Sequence, residues 1–412
     1  MRHLRAIILA LLLPALAAPA LAQGHVRAMG MGNAGTAAAR GLAAVDWNPA
    51  NLVMNRKGEV NVGLASVAVD VHNNSFSLDR YNQVTGAVLT EADKQVLLGD
   101  IPMDGLILDA NVRASALGFC AGSFAFSLQG IAGGSGTLDR DFFDLILMGN
   151  SIGQSFSFDD TDGEASAMAA ATLSWATPLV TRRTHRLSLG VNARYLHGLY
   201  DFRVESATGG ISTDFDAVKG EAEASYVTSR GGTGWAMDLG MTLQAPRGWT
   251  FGLAVDNLAG ALNWDTDVER HVWSATADSI NASTDDIEDQ VVESESTAAG
   301  DPYTSDLPGR LRVGASNRLG MILYAADVAM PLDDRPAAGG TELSVGVELQ
   351  IASWFRPRFG AATGGPAGRR SSVGLGLGLG PLRWDVAVAN QGGWVPEDTK
   401  GLSVASGLGM AF

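Results

Sequence analysis

Residues Gly30-Met31-Gly32-Asn33-Ala34-Gly35 have the G-x-G-x-x-G spacing of a turn that cradles a dinucleotide pyrophosphate. That chemistry needs a β-strand entering the turn and a helix N-terminus receiving the phosphates. Here the preceding residues, 1–22, read as a secretory signal peptide. They carry a basic start (Arg2, Arg5), an apolar run from Ala6 to Leu13, and a small-residue cleavage pattern at Ala20-Leu21-Ala22. Cleavage before Gln23 leaves too few residues for a strand, and no cysteine marks a lipoprotein. No nucleotide cofactor is therefore expected. The six histidines, including His185 and His197, have no serine or acid partner in the linear sequence, so no enzyme is expected. The run 277–306 holds Asp285, Asp286, Glu288, Asp289, Glu293 and Glu295 without a basic residue. Its spacing does not match a calcium-binding EF-hand loop, so it reads as solvated surface and no metal site is assigned. Cys120 is the single cysteine and cannot form an internal disulfide.

The elements that would carry any other chemistry follow from composition and period. Charged residues are 18% of the 412, hydrophobic residues 46%, and mean hydropathy is +0.10. That charge content is below the roughly 25% of ordinary soluble domains. The net charge of -15 argues against nucleic acid. After the signal peptide no apolar run approaches the ~20 residues of a membrane-spanning helix, so a membrane protein of this sequence must cross with strands.

The clearest pattern has a period of two. In "ELSVGVELQI" Leu343, Val345, Val347, Leu349 and Ile351 alternate with Glu342, Ser344, Gly346, Glu348 and Gln350. "WAMDLGMTLQA", "SVGLGLGLG" and "LRWDVAVAN" repeat it. Strands are predicted near 60–71, 109–118, 123–132, 166–177, 186–197, 234–245, 248–258, 308–318, 321–331, 341–351, 355–363, 371–380, 382–390 and 402–412. Their connections alternate long and short, as in outer-membrane barrels with brief periplasmic turns and extended external loops. The expected fold is all-β: a single closed antiparallel transmembrane β-barrel of about fourteen strands. The last strand ends at Phe412, an aromatic residue that resembles the insertion signal of outer-membrane proteins. Within the long loops, 89–99 and 140–149 read as short amphipathic helices.

With the apolar face toward lipid, the opposite face carries Asp238, Asp256, Arg310, Arg312, Arg318, Asp327, Glu342, Glu348, Arg356, Arg358, Arg383 and Asp385. A charge on the lipid side costs about 2–4 kcal/mol near the midplane, so these residues are expected to face the lumen, as wall-bracing ion pairs or as a lining for a charged solute. The segment "GHVRAMGMGNAGTAAARGLAAVDWNPANL" precedes the first strand, and its small side chains suit passage close to a barrel wall. "DWNPANL" suits a helix start with Asn48 as cap and Pro49 at the first helical position.

"RAMGMGNAGTA" (Arg27 to Ala37) followed by "DWNPANL" (Asp46 to Leu52) resembles the FadL-type outer-membrane transporters and their PorV-like relatives. "LPGRLRVGAS" and "ELSVGVELQIASWFRPRFGA" are PorV-like in strand order. The resemblance implies a fourteen-stranded barrel whose N-terminal segment is a hatch. It would divide the chain into signal peptide (1–22), plug (23–58) and barrel (59–412), with Arg27, Gly30, Gly32, Gly35, Asn48, Pro49 and Ala50 as plug or gate residues. It implies passive uptake of a hydrophobic or amphipathic small molecule. The alternative is a non-transporting scaffold or secretion-associated protein with an envelope protein as partner. Either way the surroundings would be outer-membrane lipid.

Overall fold

The computed structural model describes residues 23–55, 58–215, 217–280, 290–333 and 340–412. The expected signal peptide and residues Asp285, Asp286, Glu288 and Asp289 of the acidic run lie outside them. Among the described residues fourteen strands close a barrel. They are β1 (Val60–Asn73), β2 (Leu106–Ala121), β3 (Phe124–Leu138), β4 (Asp162–Thr181), β5 (Arg186–Thr213), β6 (Gly232–Gln244) and β7 (Thr250–Trp264). There follow β8 (Arg310–Leu319), β9 (Ile322–Pro331), β10 (Glu342–Leu349), β11 (Phe355–Gly364), β12 (Arg369–Leu379), β13 (Leu382–Gln391) and β14 (Gly401–Ala411). Each pairs antiparallel with its neighbours in the chain, and β14 closes on β1 from Ala411 opposite Asn61 to Gly401 opposite His72. All fourteen correspond to segments of alternating hydrophobicity.

One rim carries only short turns. Gly320 and Gly380 each open a two-residue turn with positive φ (60° and 59°), the geometry that lets a twisted hairpin reverse. The opposite rim is built up. Helix α1 (Gln23–Met29), α2 (Ala43–Trp47) and a 3-10 turn (Pro49–Met54) precede the barrel; α3 (Leu78–Val84), α4 (Glu91–Asp100) and α5 (Arg140–Met148) stand on the long-loop rim. Thr90 and Asp93 form a reciprocal capping box for α4, and the Asp139 side chain accepts from the Asp141 N–H to cap α5. Helices α4 and α5 pack on one another, burying Leu97 and leaving Ile146 exposed.

The long connections hold more strand than the hydrophobic pattern predicts. Residues 198–233, expected as a loop, are the continuation of β5 to Thr213 and a further strand, Val218–Ser229. Residues 259–307 add Glu269–Ile280, Val292–Ala299 and Tyr303–Asp306, and Ser155–Ser157 pairs with the end of β5. Val218–Ser229 pairs with both β5 and Glu269–Ile280, which in turn pairs with Val292–Ala299. The result is a sheet rising beyond the barrel. Its strands alternate charged with small residues, as in Lys219, Glu221 and Glu223 against Gly220, Ala222 and Ala224. Only a few apolar side chains, Val227 and Ala277 among them, are buried on this sheet, too few to set up a hydrophobic period.

The core lies inside the barrel rather than between sheets. Residues 26–54 run through the lumen, and the wall's inner face is small where they pass. Val26 and Met29 pack on Ala68, Ala387, Ala389 and Ala405; Met31, Ala34 and Ala38 pack on Leu323 and Ala325. Leu42, Ala44, Val45, Leu52 and Val53 cluster with Cys120, Ala125 and Ala176.

Candidate functional site: the occupied lumen

The N-terminal segment meets the wall in three polar layers. Nearest the short-turn rim, Arg27 donates through Nε and Nη2 to the Glu348 carboxylate (2.8 and 3.2 Å) and through Nη1 to the Ala38 carbonyl. Arg358 donates to the same carboxylate (2.8 Å) and to Asp385 (2.5 Å). Glu348 and Arg358 are buried, so the wall charge is neutralised in place and then bonded a second time by the segment.

In the middle layer the Gly-rich turn lies on β9–β12. Gly32 has φ +66°, and a Cβ there would sit 2.6 Å from the Ala361 nitrogen, so only glycine fits both the backbone and the space. A Cβ on Gly30 would meet the Gly374 backbone at 3.0 Å, and one on Gly35 would overlap the Trp47 ring. The Asp327 carboxylate accepts from the N–H groups of Gly35 (2.8 Å) and Thr36 (2.6 Å). Within the G-x-G-x-x-G stretch the Gly35 amide thus meets a carboxylate of the barrel wall, and the Gly32 amide donates to Ser372 Oγ (3.0 Å). Asn33 donates to Glu342, which also meets Arg370 at 3.4 Å.

Opposite, Asn48 is fully buried at the end of α2. Its side-chain oxygen accepts from the Ala50 N–H, and its amide donates to the Met241 carbonyl and to Thr242 Oγ1 (3.1 Å). Pro49 occupies the first position of the 3-10 turn. Pro49 and Ala50 lie so close to Gly190 and Gly240 that a side chain at either glycine would overlap them.

The third layer faces the long-loop rim. Asp238 accepts from Asn192 (2.8 Å) and from the Asn257 N–H (2.8 Å), and pairs with Arg194. Asn257, at φ +49°, forms a bulge where the β6–β7 register shifts after Met237. Arg312 pairs with Asp256 at 2.5 Å and stacks 4.5 Å over the Trp47 ring. Arg310 sits opposite Asp256 in the β7–β8 register, two residues before Arg312. Asp46 accepts from Gln129 (2.6 Å); burial raises its carboxyl above the usual range, against opposing effects of that bond and of Arg113 and Arg194. Arg318, Arg356 and Arg383 lie apart from these layers, around the short-turn mouth.

Sequence reasoning passed over Asn192, Arg194 and Arg113, although each sits on the non-apolar side of an alternating segment. Arg40, Asp46 and Gln129 gave no signal, because their roles arise only from the path of the segment. His197 is on the outer face, His185 bonds Thr184 in the β4–β5 turn, and among the described residues no group of acids, histidines and cysteine is placed to hold a metal.

This is a closed, fourteen-stranded outer-membrane β-barrel of the FadL/TodX/TbuX fold. The structure superposes on the toluene transporter TbuX of Ralstonia pickettii with a TM-score of 0.50 at 13% identity, over 94% of this chain and 97% of that one. It is also similar to a Pseudomonas aeruginosa FadL homologue (TM-score 0.46, 12% identity, 96% and 99% covered). The toluene transporter TodX of Pseudomonas putida matches with a TM-score of 0.46 at 12% identity, with 93% and 95% covered. No curated protein matches the sequence. The family of unknown function DUF5723 matches residues 49–389, and the chain belongs to it.

Proposed function

We propose that the chain is exported by a cleaved signal peptide to the bacterial outer membrane. There it would form a channel for passive uptake of a hydrophobic or amphipathic small molecule, with residues 23–58 as its plug. The observation that carries the reading is a lumen filled by a segment of the chain itself, held at Glu348, Asp327 and Thr242 by polar contacts that a displacement can break and remake. The short-turn rim faces the periplasm in this reading, and the packed helices α4 and α5 offer apolar surface to a solute arriving from outside. TbuX is a toluene transporter, which fits this class of cargo. The plug and gate residues are Arg27, Gly30, Gly32, Gly35, Asn48, Pro49 and Ala50.

A second reading, a non-transporting scaffold for an envelope protein, has its own support. The lumen above the segment is lined by paired charges rather than by the apolar surface usual in ligand sites, and the sheet beyond the barrel gives a partner a broad polar face. Planar-bilayer recording decides between them. Deleting residues 24–52 from the inserted barrel should raise single-channel conductance, and permeation of a hydrophobic probe such as toluene into proteoliposomes of the full chain should exceed that into empty vesicles. A full chain that passes no probe, with conductance unchanged by the deletion, would leave the scaffold.

A further inference from the structure

The short-turn mouth opens into a vestibule of about 890 Å³ beneath the N-terminal segment. Its walls hold Arg27, Arg40, Arg318, Arg356, Arg358 and Arg383 against the carboxylates of Glu59, Glu348 and Asp385, an excess of positive charge in a chain whose net charge is -15. Two of the guanidiniums, those of Arg27 and Arg358, are engaged by Glu348 and Asp385. The other four are not: among the described residues their hydrogen bonds run to backbone carbonyls. Arg40 donates to Ala37 and Ala39, Arg318 to Gly320, Arg356 to Ser353, and Arg383 to Gly380 and Leu382.

Arg40, Arg356 and Arg383 are only partly exposed, whereas Arg318 is exposed at the rim. Arg356 Nη2 lies 3.3 Å from the Ser353 carbonyl, and a Cβ on Gly378 would meet that same carbonyl at 3.3 Å and Arg383 Nη1 at 3.0 Å. The Arg356 and Arg383 side chains therefore converge on one small volume, kept open because the inward positions of β12 at 376 and 378 are glycines. A Cβ on Gly376 would meet Arg358 Nη2 at 2.5 Å and Asp385 Oδ1 at 2.7 Å, so the space is already used by charged groups. Arg40 is held in the roof by its carbonyl bonds. Burial, and secondarily the neighbouring Arg27 charge, lower its pKa to about 9, which leaves it protonated at neutral pH. A bonded carbonyl uses one donor of a guanidinium with five, so each of the four retains N–H groups for a further acceptor.

We propose that this vestibule is a binding site for the oxyanion group, phosphate or carboxylate, of a small solute. Arg356 and Arg383 would be the principal donors, with Arg40 and Arg318 completing the charge. Guanidinium forks match both groups in bidentate geometry, and a vestibule in which six guanidiniums face three carboxylates gains most from a multiply charged anion. The site does not depend on which solute crosses the barrel, but it is complete only with the N-terminal segment in place, because Arg40 belongs to that segment.

The test is calorimetric titration of the full chain in non-ionic detergent with inorganic pyrophosphate and, separately, citrate, in low salt. Saturable binding of either is expected, with the stronger of the two naming the group. The double variant Arg356→Gln/Arg383→Gln should weaken it at least about tenfold. Arg247→Gln, in the β6–β7 turn outside the vestibule, should leave it unchanged. Each variant is first checked for the heat-dependent gel shift of a closed barrel, and Arg356→Lys serves if the double variant fails to close, with partial loss expected. Absence of saturable binding would overturn the proposal. So would equal loss in Arg247→Gln, which would mark diffuse attraction. Binding of an acidic peptide without pyrophosphate or citrate would also overturn it, in favour of a polypeptide partner.

Discussion

Substituting Glu348 by Gln isolates what the ionic contact contributes to holding the N-terminal segment. In the docked state its carboxylate takes two hydrogen bonds from Arg27 and one from Arg358. If the segment leaves, Arg358 keeps both Glu348 and Asp385, because all three belong to the wall. Only the Arg27 bonds are therefore specific to docking. A hydrogen bond to a charged, buried partner is worth about 1.5–3 kcal/mol, and Arg27 is partly exposed, which places the loss toward the lower half of that range. At 1.4 kcal/mol per tenfold, release of the segment should become about 10–30 times more frequent. Native-state hydrogen exchange read by mass spectrometry on peptides from residues 26–54 measures this directly, since protection falls by the same factor when opening precedes exchange. Arg27→Gln should give a similar loss. The double variant should cost little more than either single, because each already removes the pair. Protection unchanged in both singles, or fully additive losses, would refute the contact as a docking element.

Gly360→Ala places a methyl group against the backbone of Met31 and Gly32. It should displace the turn while the barrel still shows its heat-dependent gel shift, with raised bilayer conductance as the readout. Asp327→Asn removes the charge that accepts from Gly35 and Thr36 and should weaken docking by about 1–2 kcal/mol, seen as faster exchange confined to those amides. The Asp46 carboxyl is raised by burial, so the docked segment holds that proton more tightly than a released one. Its contribution to docking is present below the ordinary carboxylate pKa and is lost as pH rises through the raised value. Asp46→Asn should flatten that slope in exchange measured from pH 7 downward. Replacing residues 267–301 with a short Gly-Ser linker removes sheet that lies beyond the barrel, and insertion and the gel shift should persist; loss of both would mean the extension is needed for closure.

The barrel was legible strand by strand because a lipid-facing wall imposes a strict rule. Every second residue must be apolar, and Leu343, Val345 and Val347 obey it without reference to any distant contact. The same rule indicates that Arg312, Glu348 and Asp385 point inward. It does not indicate which of them meet: Arg358 reaches Glu348 one strand away and Asp385 two strands away, a matter of register that alternation leaves open. Strands beyond the membrane were invisible for a related reason. Val292–Ala299 is exposed along its whole length, so its pairing with Glu269–Ile280 rests on backbone hydrogen bonds that leave no imprint on composition.

The sequence by itself determined a closed wall of fourteen strands, its inward charges and a small-residue segment ahead of it. These are local consequences of burying backbone in lipid and of packing chain against chain. The tertiary structure alone decided the course of that segment through the lumen. Asp327 caps the turn at Gly35, Asn48 lies beneath Thr242, and Arg40 hangs over the mouth because long-range packing brings together residues hundreds of positions apart, and such encounters have no period to read.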